Sequence, residues 1–271
     1  KLGWPGKKKN GTLKEWEKAV KRIKSATHEV HIGIVGKYFK TGDFILSDAY
    51  ISVIEAIKHA AGAVHCKAVL TWIDSTDFEE NPRKLSGLKS YDGIIIPGGF
   101  GSRGVEGKIA VIRYVREKKI PYFGLCYGMQ LMVIEYARDV LKLKGSHTTE
   151  VNSQTPYPVI DIMPEQKENL RKKNYGATMR LGQYEAKVLP NTLAYQAYGK
   201  NKIIERHRHR YEVNPEYIDE IKKAGLIFSA VSPNGVLMEI AELPKKDHPF
   251  FIASQFHPEF QSSLLHPHPL F

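Results

Sequence analysis

Short apolar runs that alternate with helix-spaced segments constrain this chain more than any other feature. The runs "HIGIVG" (31–36), "HCKAVLTWI" (65–73), "YDGIIIP" (91–97) and "IPYFGLC" (120–126) are apolar almost throughout, as strands covered on both faces must be. Among them, "SDAYISVIEAIKHA" (47–60), "EGKIAVIRYVREK" (106–118) and "GMQLMVIEYARDVL" (128–141) place apolar residues at helical spacing. In the first of these helices Ser47 reads as the cap, and Ile51 and Ile54 divide from Glu55 and Lys58. Strands alternating with helices predict an α/β fold with a mostly parallel sheet flanked by helices. From about residue 145 the rhythm changes. "GATMRLGQYEAKVL", "ERHRHRYEVN", "GLIFSAVS" and "GVLMEIAEL" are short and punctuated by turns, so they predict a small antiparallel or mixed extension. "HPFFIASQFHPEF" then supplies one more apolar strand. There is no internal repeat. One domain (29–271) is expected, preceded by a loop and helix (1–28). In that leader Thr12 and Glu15 fit a capping box, and Leu13, Trp16, Val20 and Ile23 share a face expected to dock on a neighbour.

Composition excludes several classes. With 271 residues, 42% of them hydrophobic and 25% charged, the chain reads as soluble and globular. No apolar run approaches the roughly 20 residues of a membrane span, and the basic leader has no apolar segment behind it, which argues against a secretory signal. Two cysteines, Cys66 and Cys126, are too few for a disulfide framework and favour a reducing, cytoplasmic setting, where the sequon at Asn10 carries no meaning. The net charge of +11 invites a nucleic-acid reading, but the lysines are spread along helices, not gathered into a stripe. Neither nucleic acid nor membrane is an expected partner.

The chemistry gathers in three segments. Gly124-Leu125-Cys126-Tyr127-Gly128 has the G-x-nucleophile-x-G form in which a strand turns sharply into a helix with the nucleophile at its apex. A Cβ on either glycine would meet the neighbouring strand or helix. The helix N-terminus favours thiolate over thiol and offers free N–H groups to whatever the sulfur attacks. An inert buried cysteine in a β–α loop is the alternative. His257-Pro258-Glu259 follows an apolar strand, and a carboxylate two residues beyond an imidazole can orient it and stabilise its cation. Its alternative is a surface histidine in a proline-rich turn, which is how His266 and His268 in "HPHPLF" are read. "IIIPGGFGSRGVEG" (94–107) is a glycine-rich turn after a buried strand, able to bring bare N–H groups to a ligand. It also satisfies G-x-G-x-x-G, but the next strand ends in Cys126 where a dinucleotide site needs an acid. An oxyanion hole fits better.

Together these segments resemble the class I glutamine amidotransferases. "PGGFGSRGVEGKI", "CYGMQ", "GATMRLG", "RHRHRYEVNP" and "QFHPEF" narrow the resemblance to the glutaminase domain of the CTP synthase family, over about residues 12 to 271. The leader helix resembles the linker that precedes that domain. The resemblance implies a triad of Cys126 as nucleophile, His257 as base and acid and Glu259 as orienting carboxylate. It implies an oxyanion hole from the Gly99 and Tyr127 amides. Gly99, Tyr127, Gly128, Met129, Gln130, Glu150 and Arg210 fall where the family binds L-glutamine, and no metal is expected. A free amino acid carries both charges, so an acid for its ammonium and donors for its carboxylate make physical sense. Read alone, "ERHRHRYEVN" puts Arg206, Arg208 and Arg210 on one strand face and His207 and His209 on the other. That pattern suits a phosphate-binding stripe or a solvated strand, and only the resemblance moves Arg210 into a pocket.

The sequence departs from the family in Tyr127, where leucine is usual, and modestly at Ser102 and 146–150. The family's synthetase (amidoligase) domain, with its phosphate loop and metal carboxylates, has no counterpart in these residues. The chain therefore reads as an excised domain or as a separate subunit that needs such a partner, with ATP, Mg and the effector GTP expected only alongside it. Rival readings are a glutaminase subunit of another synthetase, a γ-glutamyl hydrolase, or an idle regulatory module of the same fold.

Overall fold

The computed structural model describes residues 10–37, 50–162 and 179–271, with nothing said of the side chains of residues 10–12. Ser47 and the first residues of "GATMRLG" lie outside the described residues. The expected alternation is present: β1 (His28–Gly36), α2 (Ile51–Ala63), β2 (Cys66–Asp74), a short α3 (Thr76–Glu80), β3 (Gly93–Ile96), α4 (Val105–Lys118), β4 (Tyr122–Leu125) and α5 (Tyr127–Asp139). There follow β5 (His147–Thr148), β6 (Pro158–Ile162), β7 (Arg180–Val188), α6 (Leu193–Tyr198), β8 (Lys202–His209), β9 (Tyr211–Val213), α7 (Pro215–Lys223), β10 (Ile227–Val231), β11 (Met238–Glu242) and β12 (Phe251–Ser254).

One nine-stranded sheet runs in the order β2-β1-β3-β4-β12-β11-β10-β7-β8. The pairs from β2 through β12 are parallel, and those from β12 through β8 are antiparallel. The antiparallel part is thus continuous with the parallel sheet and includes four of its strands. The last strand, β12, returns across it to pair with β4. A separate three-stranded sheet, β5-β6-β9, carries the remaining short strands.

Strand periodicity divides the core into two layers. Ile94, Ile96, Tyr122 and Phe251 pack with α4 and α5 on one face, while Ile95, Phe123, Leu125 and Ile252 pack with Val53 and Ile57 of α2 on the other. Strand β3, "GIII", is buried at every position, as a central parallel strand requires. Among the described residues no helix is long and apolar enough to cross a membrane.

Three expectations change. Helix α1 (Asn10–Ser25) includes Thr12, which therefore does not stand at the N-cap position. Its apolar face buries only in part among the described residues: Leu13 is 65% exposed and Trp16 45%. Ala19 is buried, and Ile23 lies against Gly62 of α2. His268 is buried, not a surface residue. Its ring meets Glu205 Oε1 at 3.0 Å and Tyr198 Oη at 3.4 Å, which fastens the C-terminal segment to β8. His266 is exposed, as expected.

The tightest joint between helix and sheet is at Gly128, where an added Cβ would stand 2.4 Å from the backbone carbonyl oxygen of Ile96. Backbone cannot swing aside, so Gly128→Ala should cost about 1–3 kcal/mol through overpacking. Gly87, with nothing within 4 Å of an added Cβ, should accept alanine without loss. Denaturant midpoints of the two variants check the contrast; equal midpoints would refute it.

Candidate active site

Three neighbouring strand ends build the site. In the parallel trio β3-β4-β12, Ile96 pairs with Gly124 and Leu125 with Ser254. The chain therefore leaves all three strands at nearly one level, where ligands gather in open α/β sheets. Two residues beyond Ile96 comes Gly98, one beyond Leu125 comes Cys126, and three beyond Ser254 comes His257.

Cys126 occupies φ 49°, ψ −96°, a region that costs a non-glycine residue about 1–3 kcal/mol. The surroundings hold it there. Its N–H donates to Ser254 O at 2.7 Å, and its carbonyl accepts from the Met129 and Gln130 amides at 3.1 and 3.2 Å. A Cβ on Gly124 would lie 2.9 Å from Ala253 Cβ and 2.9 Å from the Gly128 carbonyl carbon. Only glycines allow strand and helix to close so tightly around the turn. Tyr127 is the first residue of α5, so its N–H has no helix carbonyl to bond. Gly99 lies beside the Tyr127 ring, and the Tyr127 hydroxyl donates to Gly101 O at 3.0 Å, tying the glycine-rich loop to the elbow.

His257 reaches the same point from β12. Its N–H donates to Arg206 O at 2.8 Å, its ring stacks on Phe260 at 5.0 Å, and its Nδ1 meets Glu259 Oε1 at 2.7 Å. The Cys126 side chain also acts on the ring; with Nδ1 on Glu259, Nε2 is the nitrogen left for the sulfur. A Cβ on Gly98 would stand 2.8 Å from His257 Cε1 and 3.6 Å from Cys126 Cβ, so the bare glycine makes room for both. Burial opposes a charged imidazole here, but Cys126 and Glu259 outweigh it and raise the His257 pKa to about 10. The stable arrangement is an imidazolium between a sulfur and a carboxylate.

The small sheet β5-β6-β9 positions the next pair. Glu150 follows β5 and accepts the Gly101 N–H at 3.3 Å. Burial raises its pKa, partly offset by that bond and by the charges of Lys37 and Arg210. Arg210 sits between β8 and β9, out of the strand alternation. It therefore parts company with Arg206 and Arg208, which are exposed on β8. Its Nε is buried with no hydrogen-bond partner among the described residues. His207 and His209 turn inward, joined Nδ1 to Nε2 at 2.9 Å. Burial, with Arg180 adding to it, drives their pKa values to about 2 and about 3, so both are neutral. Thus the two faces of "ERHRHR" differ as the alternation predicts: Arg206 and Arg208 are exposed, and the histidines are core residues behind the site.

Of the other expected pocket residues, Gly128 is locked against β3 as described and the Met129 side chain lies in the core. Gln130 is buried, and its Nε2 donates to Tyr211 O at 3.0 Å and to Gln255 Oε1 at 3.3 Å. Gln255 was not singled out from sequence, although it stands in "QFHPEF". It is fully buried, and its Nε2 lies 3.7 Å from Cys126 Sγ.

Because Cys126 is the first of the two groups that hold the His257 charge, Cys126→Ala should lower the His257 pKa from about 10. Titration of the ring Cε1–H by NMR checks this. In the unsubstituted protein the ring should stay protonated from pH 6 to about 9; a midpoint near the ordinary histidine value of about 6.5 would contradict the arrangement.

Residues 45–271 match the family model for glutamine amidotransferase class-I. The chain is 53% identical over 260 residues to a CTP synthase of Pyrococcus abyssi, covering 96% of this chain and 46% of that one. It is 50% identical to a CTP synthase of Thermococcus gammatolerans, covering 100% and 48%. The chain thus spans about half the length of these relatives. Among solved structures it resembles the Trypanosoma brucei CTPS glutaminase domain with bound acivicin, with a TM-score of 0.81 and 36% identity over 89% of this chain and 90% of that one. A glutamine amido transferase from Methylobacillus flagellatus, at TM-score 0.50 and 13% identity over 86% of this chain and 71% of that one, shares the fold. With a family model over most of its length and a CTPS glutaminase domain matched nearly end to end, the chain belongs to the class-I glutamine amidotransferases, as a glutaminase domain of the CTP synthase kind.

Proposed function

We propose that this domain hydrolyses L-glutamine to glutamate and ammonia through a thioester on Cys126. The observation that carries this reading is the run of contacts from the Cys126 side chain through His257 to Glu259, at 2.7 Å between the last two, beside a positive-φ elbow. The thiolate attacks the carbonyl carbon of the γ-carboxamide. The Gly99 and Tyr127 amides receive the oxyanion that develops. Imidazolium His257 gives its proton to the departing nitrogen, which leaves as ammonia. Neutral His257 then takes a proton from water as that water attacks the thioester. Glutamate departs, and the thiolate and imidazolium are restored. Glu259 steadies the imidazolium and keeps Nε2 aimed at the sulfur.

Glu150 and Arg210 suit the two charges of the substrate, Glu150 for the ammonium and Arg210 for the carboxylate. The buried, unpartnered Nε of Arg210 supports this assignment. An arriving ammonium would draw the raised Glu150 pKa back down. The ammonia would pass to an amidoligase domain that converts UTP to CTP, in keeping with relatives about twice as long that are CTP synthases. ATP, Mg2+ and GTP belong to that assembly.

The protein should be labelled at Cys126 by 6-diazo-5-oxo-norleucine. Cys126→Ala should abolish labelling and glutaminase activity, and His257→Ala should lower the rate by about 10²–10⁴-fold. Peptide mass mapping and ammonia release check both, alone and with a synthetase partner and GTP. Labelling at Cys66 instead, or at neither cysteine under any of these conditions, would overturn the reading.

A further inference from the structure

The described side-chain partners of the Cys126 sulfur are His257 and Gln255. The second is not required by a Cys-His-Glu triad, yet it is fully buried and its position is closely determined. The orientation of its carboxamide follows from its neighbours. The Tyr211 carbonyl can only accept, so the Gln130 group 3.0 Å from it is the NH2. The same NH2 faces Gln255 at 3.3 Å, so the Gln255 atom it meets is Oε1. The other end of the Gln255 carboxamide, its NH2, then points at Sγ, 3.7 Å away. The backbone is fixed as well, since the Gln255 N–H donates to Glu239 O at 2.8 Å and neighbouring Ser254 O accepts from the Cys126 N–H. A relay from the β9 backbone through two amides ends on the nucleophile.

We propose that Gln255 is a further catalytic residue of this site: its carboxamide N–H donates to the Cys126 sulfur, stabilises the thiolate and holds it on the line of attack. This rests on the reading of Cys126 as the nucleophile. A neutral donor suits the position. It lowers the energy of the thiolate without adding a second cation beside His257, and hydrogen bonding to the charged form of a group favours that form. The donation also takes one lone-pair direction on the sulfur, leaving others for His257 and for the substrate carbon. Gln130 acts through Gln255 as a positioning residue, because its NH2 prevents the carboxamide from turning over.

The test is the pH dependence of Cys126 alkylation by iodoacetamide, followed at the Cys126 peptide by mass. Gln255→Glu keeps the oxygen that Gln130 binds and replaces the donor by an acceptor; Gln255→Met removes both in a similar volume. Each should move the alkylation midpoint upward by about one pH unit or more and lower kcat at least tenfold with a smaller effect on KM. A merely structural role would lower the melting temperature and leave the midpoint where it was. Should both variants fail to fold, side-chain 15N labelling of glutamine in the unsubstituted protein gives the answer, because the Gln255 NH2 resonances should shift as Cys126 titrates or is alkylated. Unchanged midpoints in the folded variants, or unmoved NH2 resonances, would overturn the proposal while labelling by 6-diazo-5-oxo-norleucine at Cys126 still stood. Absence of that labelling in the unsubstituted protein would remove the functional reading and this proposal with it.

Discussion

Everything at this site depends on the closeness with which three parallel strands end. Gly98, Gly124 and Gly128 stand where any Cβ would collide with His257, with β12 or with the carbonyl of Ile96. Without side chains at those points, the loop after β3, the turn after β4 and the segment after β12 converge on one sulfur. The energy stored in the Cys126 backbone, of order 1–3 kcal/mol, is sustained because hydrogen bonds from both neighbours pin the turn. The fold's packing therefore creates the geometry that the chemistry uses.

The electrostatics follow the same economy. A buried imidazolium survives because a sulfur and a carboxylate flank it. The nearby His207 and His209 would repel it if they were charged, and burial keeps both neutral. Arg180 lies deeper, paired with Glu239 at 2.8 Å, and the Glu239 carboxyl is raised by its burial. His257 thus holds its positive charge beside the sulfur, and the Nε of Arg210 is buried without a hydrogen-bond partner among the described residues.

Much of this was legible in the sequence, for identifiable reasons. Local signals survive translation into structure: the apolar runs of β3 and β4, the glycines around Cys126, and the carboxylate two residues beyond His257 each act over a few residues. The position of Arg210 was not legible by alternation. The strand stops at His209, and the chain bends to enter β9, a pairing set by β6 some fifty residues earlier. Gln255 escaped notice because its role depends on which way a carboxamide points, and Gln130 and Tyr211 decide that from other elements. His268 looked like a surface residue because its partners, Glu205 and Tyr198, come from β8 and α6. The apolar face of α1 is met in part, in that Ile23 reaches Gly62 of α2 while Leu13 and Trp16 stay exposed, because a periodic stripe announces a contact but not its extent.

The central claim is that one sulfur carries the acyl group between glutamine and water. Rapid acid quenching of the protein during turnover, followed by peptide mass analysis, measures this directly. One γ-glutamyl group is predicted on the peptide bearing Cys126, released by hydroxylamine. Glutamate formation with that peptide never modified, or with the acyl group on any other residue, would contradict it.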